Sequence, residues 1–143
     1  MYRVQHTVTV ARLPERDWAV IEDVANWPKW NPITPSAQWL TEGQWRRGAR
    51  LAIMLRLRHK RRRIRPEVAA IIPNRRVTWI SHSFGVKSTQ TFTFEPEGSE
   101  TRVTTTETLS GPLLFLYRLL VPPALVQAML AQWLEALKAE AQR

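Results

Sequence analysis

The chain has 143 residues, no cysteine and a formal charge of +9 at neutral pH. That length suits one domain, 1–143, able to bury about two thirds of its unfolded surface without a staple. The missing thiols exclude disulfides, thiolate metal sites and cysteine nucleophiles. The charge is unevenly placed, since residues 46–76 hold 12 of the 21 Lys/Arg and one acid, Glu67.

Residues 4–10 alternate Val4, His6, Val8 and Val10 against Gln5, Thr7 and Thr9, the pattern of a half-buried strand. Pro14 opens a helix with Glu15 and Asp17 in its first turn, where the dipole favours acids; capping and solvation account for both Asp17 and Asp23. The apolar set Trp18, Val20, Ile21 and Val24 carries this helix to about Asn26. Next, Trp27-Pro28-Lys29-Trp30-Asn31-Pro32 packs two Trp and two Pro into six positions. Each Pro disfavours helix at the residue before it, so Trp27 and Asn31 are expected to be extended, with Pro28 in the first turn of a short helix.

Strand-like segments follow at residues 37–41, 49–57, 61–72, 76–82, 87–96 and 101–109. Glu42-Gly43, Pro73-Asn74, Phe84-Gly85 and Glu97-Gly98-Ser99 mark turns, and this even spacing predicts an antiparallel meander. From Leu113 the period becomes helical, through Leu125, Met129, Trp133 and Leu137, with Pro122-Pro123 as a kink or restart. Leu113–Val121 is very apolar, and the plain expectation is that it packs against Trp27 and Trp30. Transient contact with an anionic membrane is the sharper alternative.

One strand, the Trp/Pro corner, six more strands and a long last helix resemble the START-like (SRPBCC, helix-grip) superfamily. The nearest resemblance is to its polyketide cyclase/dehydrase and lipid-transport branch. Thr101-Arg102-Val103-Thr104 after an acidic glycine turn, and Gly111 before the last helix, match the same family habit. The resemblance implies an α+β fold: a curved antiparallel seven-stranded sheet wrapped around a long C-terminal helix, with two short helices after the first strand. It also implies an apolar cavity between sheet and helix that holds lipids, polyketides, sterols or similar molecules.

Alternation places Leu51, Ile53, Leu55, Leu57, Val68, Ala70, Val77, Trp79, Phe92, Phe94, Val103 and Leu109 on the inner face. The polar members of that face, His6, Ser81, Gln90, Thr105 and Glu107, are the informative ones. Ligand contact is therefore expected at Trp27, Trp30, Ile53, Leu55, Trp79, Ser81, Gln90, Phe92 and Thr105. A buried carboxylate is costly unless it is paired or neutralised, so Glu107 is either a ligand's hydrogen-bond partner, a proton-transfer group or a structural partner of His6. Tyr117 and Arg118 are placed at the cavity entrance by the fold resemblance alone. His6, His59 and His82 have no metal-ligand spacing, and neither metal nor cofactor is expected.

Arg56-Leu57-Arg58-His59-Lys60-Arg61-Arg62-Arg63-Ile64-Arg65 places seven fixed cations in ten positions across a predicted hairpin. It lacks the interleaved aromatics of a single-strand nucleic-acid platform, so nucleic acid is not expected as a partner. The plain account is a solvated hairpin; a milder functional one has its arginines rimming the cavity and steering an acidic amphiphile.

The expected function is carriage or sensing of a hydrophobic or amphipathic small molecule. The alternatives are a cyclase/dehydrase-like enzyme using His6 and Glu107 for proton transfer, and an anion-binding module built on hairpin 56–65. The start of the chain lacks the apolar core of a secretory signal, so a cytoplasmic location is expected.

Overall fold

The structure, a computed structural model, describes every residue except His59, with Leu57 described by its backbone only. The chain forms β1 (Tyr2–Val10), α1 (Pro14–Glu22), a 3-10 turn (Val24–Asn26) and α2 (Trp27–Trp30). It continues through β2 (Ser36–Trp39), β3 (Leu51–Leu57), β4 (Lys60–Ile64), β5 (Glu67–Ile72), β6 (Arg76–Ser83), β7 (Val86–Glu97) and β8 (Glu100–Ser110). It closes with α3 (Leu114–Leu120) and α4 (Pro123–Ala141).

The expected seven strands are eight, because the segment expected as one strand over 61–72 divides at Arg65-Pro66. Pro66 has no N–H to give to a ladder, and two ladders part there. The strands form a five-stranded sheet, β1-β8-β7-β6-β5, and a three-stranded sheet, β2-β3-β4, with every pairing antiparallel. The sheets meet at an Arg50–Glu67 bridge, where Leu51 N–H donates to Pro66 O and Val68 N–H donates to Ala49 O. Both wrap α4, which buries Val126, Leu130, Trp133, Leu134, Leu137 and Ala141 along one stripe. This is the helix-grip architecture.

A bulge changes one assignment. Val68 pairs with Trp79, but Ala70 then pairs with Thr78 and Ile71 with Val77. The extra residue turns Ala70 off the inner face and brings Ile71 against the core instead. Leu57 and His59 of the expected hairpin lie outside what is described of side chains.

Trp27 corrects the expectation drawn from Pro28. Its φ/ψ of −50°/−44° is helical, while Asn31 is extended at −116°/104°. Tertiary burial overrides the local preference: the Trp27 indole is fully buried and donates to Ile21 O at 2.9 Å. Asp17 departs from expectation as well. It neither caps nor faces water; it is fully buried, and neither carboxyl oxygen has a protein partner.

The apolar C-terminal region breaks at Val121-Pro122, and α3 and α4 are bent by 68°. Contrary to expectation, α3 does not pack on Trp27 and Trp30. Leu114 alone is buried, against Val86 and Leu109, and Phe115, Leu116, Leu119 and Leu120 are exposed. Among the described residues no single helix is long and apolar enough to cross a membrane; the bent pair meets the test only when taken together.

Candidate functional site

All seven Trp residues join one run of ring contacts. Trp30 meets Trp133, Trp133 meets Trp27, Trp27 meets Trp79, and Trp79 meets Trp45, which branches to Trp18 and Trp39. The corner at Trp27 is therefore the middle of an aromatic run that passes from α4 through Trp79 of the large sheet to the Trp45 loop, α1 and β2. Trp45 is the member with no placing signal in the sequence, because it lies in a loop with no periodicity.

Trp27, Trp79 and Trp133 form one side of a cavity between sheet and α4. Ile53, Leu55 and Ile64 of the small sheet form another side, and Val126, Met129 and Leu130 of α4 a third. Its volume is about 60 Å³. That is space for roughly four water molecules at about 15 Å³ each. It is well below the roughly 300–1,000 Å³ of sites that enclose drug-sized ligands.

The polar groups gather on Arg62, Tyr117, Glu107, Ser88, Gln90 and Ser81, with Thr34 also in the lining. Strand alternation explains Arg62. Within β4, Lys60, Arg61 and Arg63 are exposed, whereas Arg62 and Ile64 turn inward. Arg62 Nη1 donates to Tyr117 Oη at 2.6 Å, and the guanidinium carbon lies 5.0 Å from the Tyr117 ring centre. One arginine of the basic run is thus a cavity residue and its neighbours are not.

Glu107 stands on β8, paired with Gln90 on β7 and Val4 on β1. Its Oε1 accepts from Ser88 Oγ at 2.8 Å, and its buried Oε2 has no protein partner. Burial pushes the Glu107 carboxyl above its ordinary pKa, while the Ser88 hydrogen bond and the Arg62 charge oppose that rise. Burial likewise raises the Tyr117 phenol, against the pull of Arg62. A neutral Glu107 presents an O–H donor, and Arg62 is a fixed cation beside it. The second orphaned polar atom of the lining is the buried Thr34 Oγ1.

Of the residues expected at a ligand, Trp27, Ile53, Leu55, Trp79, Ser81, Gln90 and Glu107 line the cavity. Trp30 packs behind Trp133, at 5.4 Å between ring centres, and Phe92 is fully buried behind Trp79 and Trp133. Thr105 is also buried, accepting from Gln90 Nε2 at 3.1 Å. His6 is half-buried, with its Nδ1 3.3 Å from Gln127 Nε2, and is not part of the lining. The structure therefore does not bring His6 and Glu107 together as a hydrogen-bonded pair. Ser88 was not singled out from sequence, nor were the α4 residues as lining, and Arg62 was expected only as one of the arginines of run 56–65 at the cavity rim. Arg62 carried a signal, namely its position two residues before Ile64 on one strand. Among the described residues no three His, Asp or Glu side chains gather as a metal site.

The family described as polyketide cyclase/dehydrase and lipid transport matches residues 1–142. No curated protein matches the chain by sequence. Among solved structures, TTHA0849 from Thermus thermophilus is similar with a TM-score of 0.81 at 22% identity, over 98% of this chain and 97% of that one. The ZhuI aromatase/cyclase from Streptomyces sp. R1128 superposes with a TM-score of 0.83 at 19% identity, over 99% and 94%. A START superfamily protein from Mycobacterium smegmatis gives 0.73 at 22% identity, over 99% and 94%. At these identities the likeness is one of fold.

Proposed function

The chain belongs to the polyketide cyclase/dehydrase and lipid transport family, and from that premise we propose that its cavity binds an amphipathic small molecule. The body of this ligand is apolar, suited to the faces of Trp27, Trp79 and Trp133. At one end it carries an oxygen (carbonyl, hydroxyl or carboxylate) that meets Glu107 and Arg62. The observation that supports this reading is the unpartnered Oε2 of buried Glu107 in a lining that is otherwise largely apolar. A buried polar atom left unpaired costs about 1–3 kcal/mol, which a ligand oxygen would recover on binding. Extraction of the purified protein followed by native mass spectrometry tests the reading. A co-purifying amphiphile, or stoichiometric binding of 1-naphthol by calorimetry, supports it; a clean mass with no uptake of 1-naphthol, with or without anionic vesicles, overturns it.

A second reading, proton-transfer catalysis on a poly-keto chain, draws on one further observation. Glu107 combines a raised pKa with a cation at the same end of the cavity. Such a pair can donate or accept a proton while Arg62 stabilises developing negative charge on oxygen. ZhuI, an aromatase/cyclase, has the same fold. In this reading Glu107→Gln abolishes turnover and leaves affinity within a few-fold. In the carrier reading the same change alters affinity alone.

A further inference from the structure

Helix α3 is apolar nearly all round and nearly uncovered. Leu119 and Leu120 are each 78% exposed and Phe115 is 66% exposed. Phe84, in the β6–β7 turn, is 85% exposed. The β6–β7 turn lies against the start of α3, where Leu113 N–H donates to Gly85 O at 3.4 Å. Gly111 and Gly85 approach so closely that a Cβ on Gly111 would sit 2.3 Å from Gly85 O. The turn that bears Phe84 is therefore packed against the start of the helix that bears Phe115, Leu119 and Leu120, a knob with four exposed apolar side chains. A cluster of exposed large apolar side chains on one short helix and the turn beside it marks an interaction site more often than singly scattered residues do.

The charge around the knob has one sign. Arg118 lies on α3, Lys87 follows the turn, and both are exposed. The β3–β4 hairpin, with exposed Arg58, Lys60, Arg61 and Arg63, is tied to α3 by the Arg62–Tyr117 hydrogen bond. Residues 43–66, 68–94 and 108–134 contain no Asp or Glu. An apolar knob with a basic collar is complementary to a bilayer bearing anionic headgroups. Its apolar side chains suit the acyl boundary, and each Lys or Arg near the surface adds about 1 kcal/mol. At seven residues α3 is far too short to span, so it would lie in the interface.

We propose that α3 and Phe84 dock this protein on an anionic lipid bilayer, and that docking opens the cavity by drawing Tyr117 away from Arg62. The opening step rests on the cavity being the ligand site; the docking step does not. Helix α3 can move as a flap, because it is bounded by Gly111-Pro112 on one side and Val121-Pro122 on the other. A cavity of about 60 Å³ needs some such opening before it admits an amphiphile.

Co-sedimentation of the full chain with phosphatidylcholine vesicles, with and without phosphatidylglycerol, tests the proposal. The expected result is binding to the anionic vesicles that weakens at high salt, with much less binding to neutral ones. Leu119→Asp/Leu120→Asp should lower it roughly tenfold or more, since two apolar side chains leave the membrane. Both positions are exposed, so the variant's thermal midpoint should match the parent. Arg61→Ala/Arg63→Ala, which leaves the apolar knob intact, should weaken binding to anionic vesicles alone. No binding to anionic vesicles, or binding untouched by both variants, overturns the proposal. So does a dimer in sedimentation velocity that Leu119→Asp/Leu120→Asp dissociates, because the patch would then be covered by a second copy. Loss of vesicle binding with intact 1-naphthol binding in vesicle-free solution would remove docking and keep the cavity. Vesicle binding with no 1-naphthol uptake, whether anionic vesicles are present or absent, would remove the cavity reading and keep docking.

Discussion

Arg62 and Tyr117, 55 positions apart, are joined by a 2.6 Å hydrogen bond that fastens the β3–β4 hairpin to α3. It is a polar tie between the small sheet and α3. Tyr117→Phe removes it and keeps the ring beneath the guanidinium. The expected loss is about 1–2 kcal/mol of unfolding free energy in urea titration, near the lower end for hydrogen bonds to charged groups because Arg62 is partly solvated. On the proposed gating, the same variant exchanges 1-naphthol faster than the parent protein.

Glu107 should titrate above the ordinary carboxylate value of about 4.3, readable from its carboxyl carbon by NMR. Removing the cation in Arg62→Met should move that midpoint higher still, because Arg62 opposes the effect of burial. A downward movement would show that the two groups do not share the polar end of the cavity.

Burial pushes the Asp17 carboxyl up to about 7, and Thr101 beside it already gives its hydroxyl proton to Arg12 O at 2.7 Å. In the unfolded chain the group titrates near 3.9. Between those values the folded state keeps a proton that the unfolded state has released, so stability falls as pH rises from about 4 to about 7. Asp17→Asn should therefore be more stable than the parent at pH 8 and show a flatter pH profile in denaturant midpoints. A parent profile that rises over this window would contradict the placement of Asp17.

Gly111 has φ +128°, and a Cβ there would meet Gly85 O at 2.3 Å. The obstacle is backbone rather than a flexible side-chain end, so Gly111→Ala should cost several kcal/mol and lower the yield of soluble protein. Gly98→Ala, with open space at its Cβ and φ +65°, should cost only the left-handed strain, about 1 kcal/mol.

Much of the architecture was legible in the chain. Period-two alternation along β1, β6, β7 and β8, and the helical period of α4, placed those strands within two residues of their ends and set most of the inner face. The misreadings have local causes. Pro66 carried a visible break signal that the strand-like residues around it overrode. The bulge at Val68–Ala70 has no marker in composition, since Ala69 and Ala70 are equally at ease on either face. Helix α3 looked like core because apolar residues usually are core, and nothing in its sequence shows that Gly111-Pro112 and Pro122-Pro123 hold it away from Trp27 and Trp30. Of the site, Glu107 could be found by counting along one strand. Its relation to Arg62 depends on two sheets closing over each other, which no local pattern encodes.

Absorbed ultraviolet light will not stay where it lands in this molecule. Successive indole centres along the Trp run are 5.1–6.1 Å apart, close enough for excitation to migrate before emission. The protein's fluorescence is therefore a collective property of seven rings rather than a sum of seven. Quenching at Trp79 on the cavity wall should dim emission that began at Trp18 or Trp39, and spectra of single Trp→Phe variants should fail to add. A molecule entering the cavity would report itself through every tryptophan in the chain, including those it never touches.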